Sequence, residues 1–409
     1  MKVKVSDYIA GSMVNAGINH VFMVPGGFAM HLNDSFAKNK DLCCVINHHE
    51  QACAMAAEGY ARINNKMAAV CTTVGPGATN AITGVLCAYQ DSIPMFIVSG
   101  QCRLATMACQ SGLNLRSRGI QECNICQLIK PITKYCHLIT DVSEILYCIE
   151  KALFLATNGR PGPCWIDIPM DIQGKYIDID LLKSFDAKLE GYDTKHDIED
   201  SVVDLIISKI YESKRPVVFA GNGIRIAGAH SEFVEFIKKT RIPVVSGMSS
   251  VDAISTYSEM YIGRGGITGT RAGNFAMQNA DLLLSLGSRL NYNQTGFETK
   301  QWARNAYKII NDIDDQEIKK DNINADLEVP CDVAVLLKKL NKRIKSTSFQ
   351  PWLEKCKKWK YKYPIVTLEE RNCLKANIYN FFDILTQKLS LNNNIIVSVG
   401  QSRDRKSVV

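Results

Sequence analysis

Three apolar runs near the start of the chain each stop at residues that cannot continue a strand, and this pattern constrains the fold more than any other feature. Val21-Phe22-Met23-Val24 ends in Pro25-Gly26-Gly27. Cys43–Asn47 hands over to His48-His49-Glu50. Met67-Ala68-Ala69-Val70-Cys71 runs into Thr72-Thr73-Val74-Gly75-Pro76-Gly77-Ala78-Thr79-Asn80. Short apolar runs alternating with helical spacing predict a mainly parallel sheet covered on both faces. In an open sheet of that kind, ligands bind outside the carboxyl ends of the strands. Glycines placed just there free the backbone to lie against a ligand.

Glu50 stands where a strand gives way to a helix. The positive end of the helix dipole favours a carboxylate there, which is a purely structural reason for it. The helix that follows is lined with Ala52, Ala54, Ala56, Ala57, Gly59 and Ala61. Such a slim helix lets other backbones come close and cannot fill a core by bulk.

The alternation organises the whole chain. Strands are expected at His20–Val24, Cys43–Asn47, Ala68–Thr73, Met95–Ser99 and Cys164–Ile168. Helices fit Val5–Ala16, Phe28–Lys38, Glu50–Ile63, Ala78–Gln90 and Val142–Thr157. Residues 1–172 thus form one domain, in which the polar, irregular stretch Gln101–Lys134 reads as a functional loop. A charged linker follows at 173–195. A second αβ domain, 196–345, carries strands at Pro216–Ala220, Ile242–Val245, Asp281–Leu286 and Tyr307–Asn311. The lysine run Lys355–Lys362 reads as one solvated helix face. A third unit begins at 374–401, with a helix at Ile378–Leu389 and a strand at Ile395–Ser398. The polar tail 402–409 fits no element.

Composition excludes several classes. A net charge of +7 over 409 residues is modest, and no arginine–aromatic interleaving supports nucleic-acid binding. No apolar run reaches membrane-spanning length, and Met1-Lys2-Val3-Lys4 lacks a signal-peptide core. Fifteen cysteines without such a leader imply reduced thiols and a cytoplasmic compartment. Cys123-Asn124-Ile125-Cys126 has only Cys136-His137 nearby and no second pair, so no metal is assigned to it.

Taken together, several segments resemble the thiamine-diphosphate (ThDP) enzyme family in its acetolactate synthase-like branch, large or catalytic subunit. They are Val21–Gly27, His49-Glu50-Gln51, Ala56–Arg62, Gly75–Asn80, Asp91-Ser92-Ile93-Pro94, Gly159-Arg160-Pro161-Gly162-Pro163 and Asp281–Leu284. The resemblance implies an α/β fold of doubly wound, mainly parallel sheets, with a pyrimidine-binding domain followed by a Rossmann-like middle domain. It implies decarboxylation of pyruvate and transfer of the two-carbon unit to an acceptor carbonyl, as in branched-chain amino acid biosynthesis. Glu50 would bind pyrimidine N1′ of ThDP from a poorly hydrated pocket. Pro25, Gly26, Gly27, Thr73, Pro76 and Asn80 would line the pyrimidine end, and Gln121 would stand near the reacting centre. Each has a plain structural reading too, in which the glycines serve turns and Asn80 caps a helix. The resemblance makes Arg160 of the first domain, with Gly221, Gly223, Arg289 and Asp312 of the middle domain, contacts for FAD. Members of the family with and without flavin leave that cofactor open.

Departures from the family pattern matter as much. No Gly-Asp-Gly occurs in the chain, so the Mg²⁺ and diphosphate site is expected in a missing third domain, and the chain reads as a truncated fragment. Asn293 stands where the family has an arginine that reads the acceptor's carboxylate, with Asn291 and Tyr292 in place of two acids. Ile120 replaces an aromatic and Met170 a lysine. An amide cannot pair a carboxylate as a guanidinium does, so an aldehyde or keto-sugar acceptor becomes an alternative to a 2-keto acid. The expected assembly is a homodimer or tetramer. The other readings are a non-catalytic dimerising fragment and a nucleotide-binding module.

Overall fold

We describe a computed structural model of the chain, covering residues 2–390 and Asn393. The strand expected at Ile395–Ser398 and the tail 402–409 lie outside the described residues. Two compact units result, Met1–Thr194 and Lys195–Val409. No helix among the described residues is long and apolar enough to cross a membrane.

The first unit contains β1 (Lys2–Lys4), β2 (His20–Met23), β3 (Cys43–Ile46), β4 (Ala68–Thr72), β5 (Met95–Gln101), β6 (Tyr135–Leu138), β7 (Pro163–Pro169) and β8 (Tyr176–Asp178). Its main helices are α1 (Val5–Asn15), α2 (Met30–Lys38), α3 (Glu50–Asn64), α4 (Pro76–Asn80), α5 (Ile82–Gln90), α6 (Ile125–Ile129) and α7 (Ile145–Thr157). Six strands form one parallel sheet in the order β3-β2-β4-β5-β7-β6. Every residue of β4, β5 and β7 is buried, which is why these strands read as unbroken apolar runs. From β2 the chain steps one way to β3, then returns past β2 to form β4. The carboxyl ends of β2 and β4 therefore flank a topological switch point.

The slim α3 does what its alanines predict. A Cβ on Gly84 of α5 would lie 2.5 Å from Ala54 Cβ, so the two helices touch nearly backbone to backbone. Arg62 at the end of α3 binds Glu58, its Nε donating to Oε1 at 3.0 Å, and also Asp91, its Nη2 donating to Oδ2 at 2.7 Å. The motif residues Glu58, Arg62 and Asp91 thus form a clamp between α3 and the end of α5.

Several expectations need correction. The single helix expected at Ala78–Gln90 is two, α4 and α5, separated at Ala81. The stretch Gln101–Lys134 contains a helix, α6, and is followed by a strand not foreseen, β6. Residues 173–195, expected as a charged linker, contain β8, which pairs antiparallel with β1.

In the second unit, β9 (Pro216–Ala220), β10 (Val244–Ser246), β11 (Tyr261–Arg264), β12 (Leu282–Leu286), β13 (Tyr307–Asp312) and β14 (Leu327–Pro330) form a second parallel sheet, in the order β11-β10-β9-β12-β13-β14. Buried Asn311 ties its edge together, donating from Nδ2 to the carbonyls of Val329 (3.0 Å) and Cys331 (2.9 Å). The helix Gln350–Lys362 packs Trp352, Leu353 and Cys356 into this core. Its lysine face is not wholly solvated, as the run of lysines suggested. Lys360 donates to the carbonyls of Thr256 (3.2 Å) and Tyr261 (2.8 Å), and burial holds its ammonium below the usual lysine range.

Candidate active site at the sheet switch point

Glu50 is the first residue of α3, capped by His49, whose Nδ1 accepts from Gln51 N at 3.1 Å. Its Oε2 accepts from Asn80 Nδ2 at 3.0 Å. The strand ends close in around this pair. A Cβ on Gly77 would sit 3.3 Å from Glu50 Oε1 and 2.8 Å from Thr73 Cγ2. A Cβ on Gly26 would sit 2.4 Å from Thr73 Cβ. Gly26, Glu50, Thr73, Gly77 and Asn80, drawn from three strand ends, therefore form one cluster at the switch point. The Asn80 amide does not merely cap a helix; it reaches back to the carboxylate that opens α3.

Glu50 is half-buried, whereas Pro25, Gly27, Pro76 and Asn80 are exposed. The poorly hydrated pocket expected for Glu50 is thus not closed within this unit, because its rim stands open to water. The side-chain oxygens of Thr72 and Thr73 are buried without a hydrogen-bond partner. Leaving such a group unpaired costs about 1–3 kcal/mol, so Thr73 Oγ1 is a polar atom awaiting a partner. The cluster offers a carboxylate, an amide and a hydroxyl, and its two glycines let Thr73 pack against both strand ends.

Gln121 is brought to the same place, with an exposed side chain and a left-handed φ of 58°. Its carbonyl oxygen lies 2.1 Å from where a Gly75 Cβ would be. Gly75 itself has φ 58° and ψ −117°, close to the first central position of a type II′ turn, which glycine takes without strain. Two groups that the sequence reading missed hold this loop down. Glu122 accepts from the N–H groups of Ala108 (2.8 Å), Arg118 (2.8 Å) and Gly119 (2.9 Å). Partial burial opposes its ionisation, yet those three donors keep the carboxyl below the usual range. Asp167, fully buried on β7, accepts from Ser99 Oγ (2.6 Å) and Gln101 Nε2 (2.9 Å). The same Gln101 amide donates to Cys123 O (2.9 Å) and its oxygen accepts from Cys102 N (3.0 Å). Burial pushes the Asp167 carboxyl up to about 7, against the pull of Ser99 and Gln101.

The residues expected to contact a flavin do not show one common geometry. In the first unit, Arg160 Nε donates to Ser92 Oγ at 2.9 Å. In the second, Gly221 N donates to Leu286 O and Gly223 N to Gly287 O, both at 2.9 Å. Cβ atoms on these glycines would meet Gly287 O at 2.1 Å and Gly287 Cα at 2.7 Å. They let two strand-end turns pack together, and their N–H groups are already used. Arg289 and Asp312 are half-buried near that end of the sheet, with Asp312 Oδ1 accepting from Asp314 N at 3.0 Å. Asn291 caps the short helix Tyr292–Thr295, and the Asn293 side chain is exposed.

Comparison with known proteins agrees with this layout. Residues 3–127 match the family model for the thiamine pyrophosphate enzyme N-terminal TPP binding domain, and residues 203–340 match the one for the central domain. An acetolactate synthase large subunit from Lactococcus lactis subsp. lactis is 31% identical over 368 residues, 90% of this chain and 62% of that protein. The isozyme 3 large subunit from Escherichia coli is 28% identical over 375 residues, covering 92% and 63%. The chloroplastic acetolactate synthase of Arabidopsis thaliana is 32% identical over 370 residues, covering 88% and 53%. The match spans about three fifths of the length of the bacterial relatives. With both family domains matched in sequence, the chain belongs to the thiamine pyrophosphate enzyme family.

Proposed function

We propose that this chain supplies the pyrimidine-binding half of a ThDP-dependent carboligase of the acetolactate synthase type, acting on pyruvate and an acceptor carbonyl. The observation that carries the reading is the Glu50–Asn80 pair beside the unpartnered Thr73 hydroxyl, at the switch point of the sheet. ThDP, when bound, supplies the nucleophilic carbon and the electron sink for 2-keto acid decarboxylation. Glu50 would hold a proton at pyrimidine N1′, and Asn80 would fix the rotamer of that carboxyl. Thr73 would pair with a ring substituent. Gln121, set by Glu122 and by the Asp167 network, would orient the substrate side.

Mg²⁺ and the diphosphate belong, in this reading, to a part that also carries the family's Gly-Asp-Gly motif, which these 409 residues do not contain. Without that part the chain would be a dimerising, non-catalytic species. The open rim of Pro25, Gly27, Pro76, Asn80 and Gln121 is what a second subunit would cover, consistent with a homodimer or tetramer. All fifteen cysteines are free, which supports a reducing, cytoplasmic setting. A flavin in the second unit would rely on the side chains of Arg289 and Asp312 rather than on the Gly221 and Gly223 N–H groups. The alternative is a neutral aldehyde or keto-sugar acceptor rather than a 2-keto acid, since the Asn293 amide offers no charge to a carboxylate.

The test is pyruvate turnover with ThDP and Mg²⁺ by this chain joined to the diphosphate-binding part, against its Glu50→Gln variant. Loss of about 10²–10⁴-fold is expected for a proton-handling group. Unchanged turnover removes Glu50 from the mechanism and with it this function.

A further inference from the structure

Far from the switch point, on the edge strand β6, lies a cluster that the proposed activity does not use. His137 of β6, Glu144 at the start of the helical segment leading into α7, and Cys148 one turn further on each offer one ligand atom. These three atoms lie within 4.8 Å of one another. His137 Nε2 is 3.2 Å from Glu144 Oε2, but it is buried and makes no hydrogen bond. A ring nitrogen, a carboxylate oxygen and a thiol thus converge as one N/O/S donor set.

Each donor is already oriented by a neighbour. Glu144 Oε1 accepts from Thr140 N (2.8 Å) and Asp141 N (3.2 Å), which leaves Oε2 facing His137. The Tyr135 hydroxyl donates to Cys148 Sγ at 3.4 Å. The Tyr135 and His137 rings stack at 6.1 Å, only 3° from parallel, which fixes the imidazole plane. The nearby cation, Lys151, has its charge taken by Glu190 at 2.7 Å. Oriented ligands with hydrogen-bonded outer partners are what a metal site requires beyond the ligands themselves.

We propose that His137, Glu144 and Cys148 form a site for a Zn²⁺-class divalent cation, which staples the edge strand β6 to α7. The N/O/S donor set suits Zn²⁺ over hard cations, which prefer all-oxygen ligands. The His137 and Glu144 side chains remain about a third exposed, at 35% and 29%, so water can complete a tetrahedron. Strand alternation explains why adjacent Cys136 is not a ligand: it points to the opposite face, where its sulfur contacts Cys126 O at 3.5 Å.

The experiment is titration of the chelator-treated, reduced chain with Co²⁺ as a spectroscopic stand-in. One equivalent is expected to give tetrahedral visible bands and a sulfur-to-cobalt charge-transfer band, both bleached by Zn²⁺. Cys148→Ser should lose the charge-transfer band, and Tyr135→Phe should bind about 10–100-fold more weakly. His137→Gln, at a position about a third exposed and with its fold checked by circular dichroism, should abolish stoichiometric binding even where Cys148→Ser fails to fold. Absence of the bands in the wild-type chain, or bands unchanged in His137→Gln, overturns the site; the second result would assign them to other cysteines.

Discussion

Gly75→Ala tests whether the Gln121 loop is seated on the end of β4. The added Cβ would lie 2.1 Å from Gln121 O and 3.2 Å from Gln121 C, so that backbone must retreat by about an ångström to reach ordinary contact. Gly75 also has φ 58° and ψ −117°, where an alanine is strained by roughly 1–3 kcal/mol. Strain and clash together predict a loss of about 2–4 kcal/mol, the range of overpacking plus a backbone penalty. Native-state hydrogen exchange of the β4 and β5 amides reads this directly. At about 1.4 kcal/mol per tenfold, exchange should speed up roughly 30- to 700-fold. Gly59→Ala is the matched control. Gly59 lies inside α3, and its Cβ would meet nothing within 4 Å, so alanine should slow exchange, stabilising the unit by about 0.5–1 kcal/mol. Acceleration below about 3-fold in Gly75→Ala, under 0.7 kcal/mol, would mean that the loop does not rest there.

Asp167 gives a pH signature. Its folded-state pKa of about 7 lies above the ordinary carboxylate value of 3.8, so the native state holds the proton more tightly than the unfolded one. Stability should therefore fall as pH rises from about 4 to 7 and level off above it; Asp167→Asn should flatten that slope in thermal melts taken across the range. Lys360→Ala removes two hydrogen bonds to backbone carbonyls and should cost the second unit about 1.5–3 kcal/mol in urea unfolding. Asn311→Ala leaves the Val329 and Cys331 carbonyls without their shared donor and should cost about 2–3 kcal/mol, with faster exchange confined to β13 and β14.

The central strands were legible because both their faces are covered. Pro216–Ala220 matches its expected bounds, and β2, β4, β5 and β12 differ from theirs by one or two residues. Of the edge strands, β3 was read to within one residue from the strand-to-helix handover at Glu50, but β6 and β14 were not, for a physical reason. Tyr135-Cys136-His137-Leu138 alternates rather than running apolar, and Leu327–Pro330 ends in a proline that only an edge tolerates. The glycines and Glu50 were readable as strand-end chemistry. Which strand ends meet was not, since Gly26, Glu50, Thr73 and Asn80 converge only through the sheet order. Asp167 and Ser99 lie 68 positions apart, and Glu122 looks like any loop acid until its three backbone donors are in place. For the Gly-Asn-Gly of residues 221–223, given as flavin contacts by the resemblance, the structure adds that Gly221 and Gly223 pack against Gly287.

The most direct measurement of the central claim is deuterium exchange at thiazolium C2 of ThDP, followed by NMR. It isolates proton activation from pyruvate binding and from the choice of acceptor. With the diphosphate-binding part and Mg²⁺ supplied, the wild-type chain is predicted to accelerate exchange, Glu50→Gln to lose about 10²–10⁴-fold of it, and Asn80→Ala to lose a smaller share. Equal exchange rates for wild type and Glu50→Gln would contradict the assignment of the switch-point cluster as the pyrimidine site.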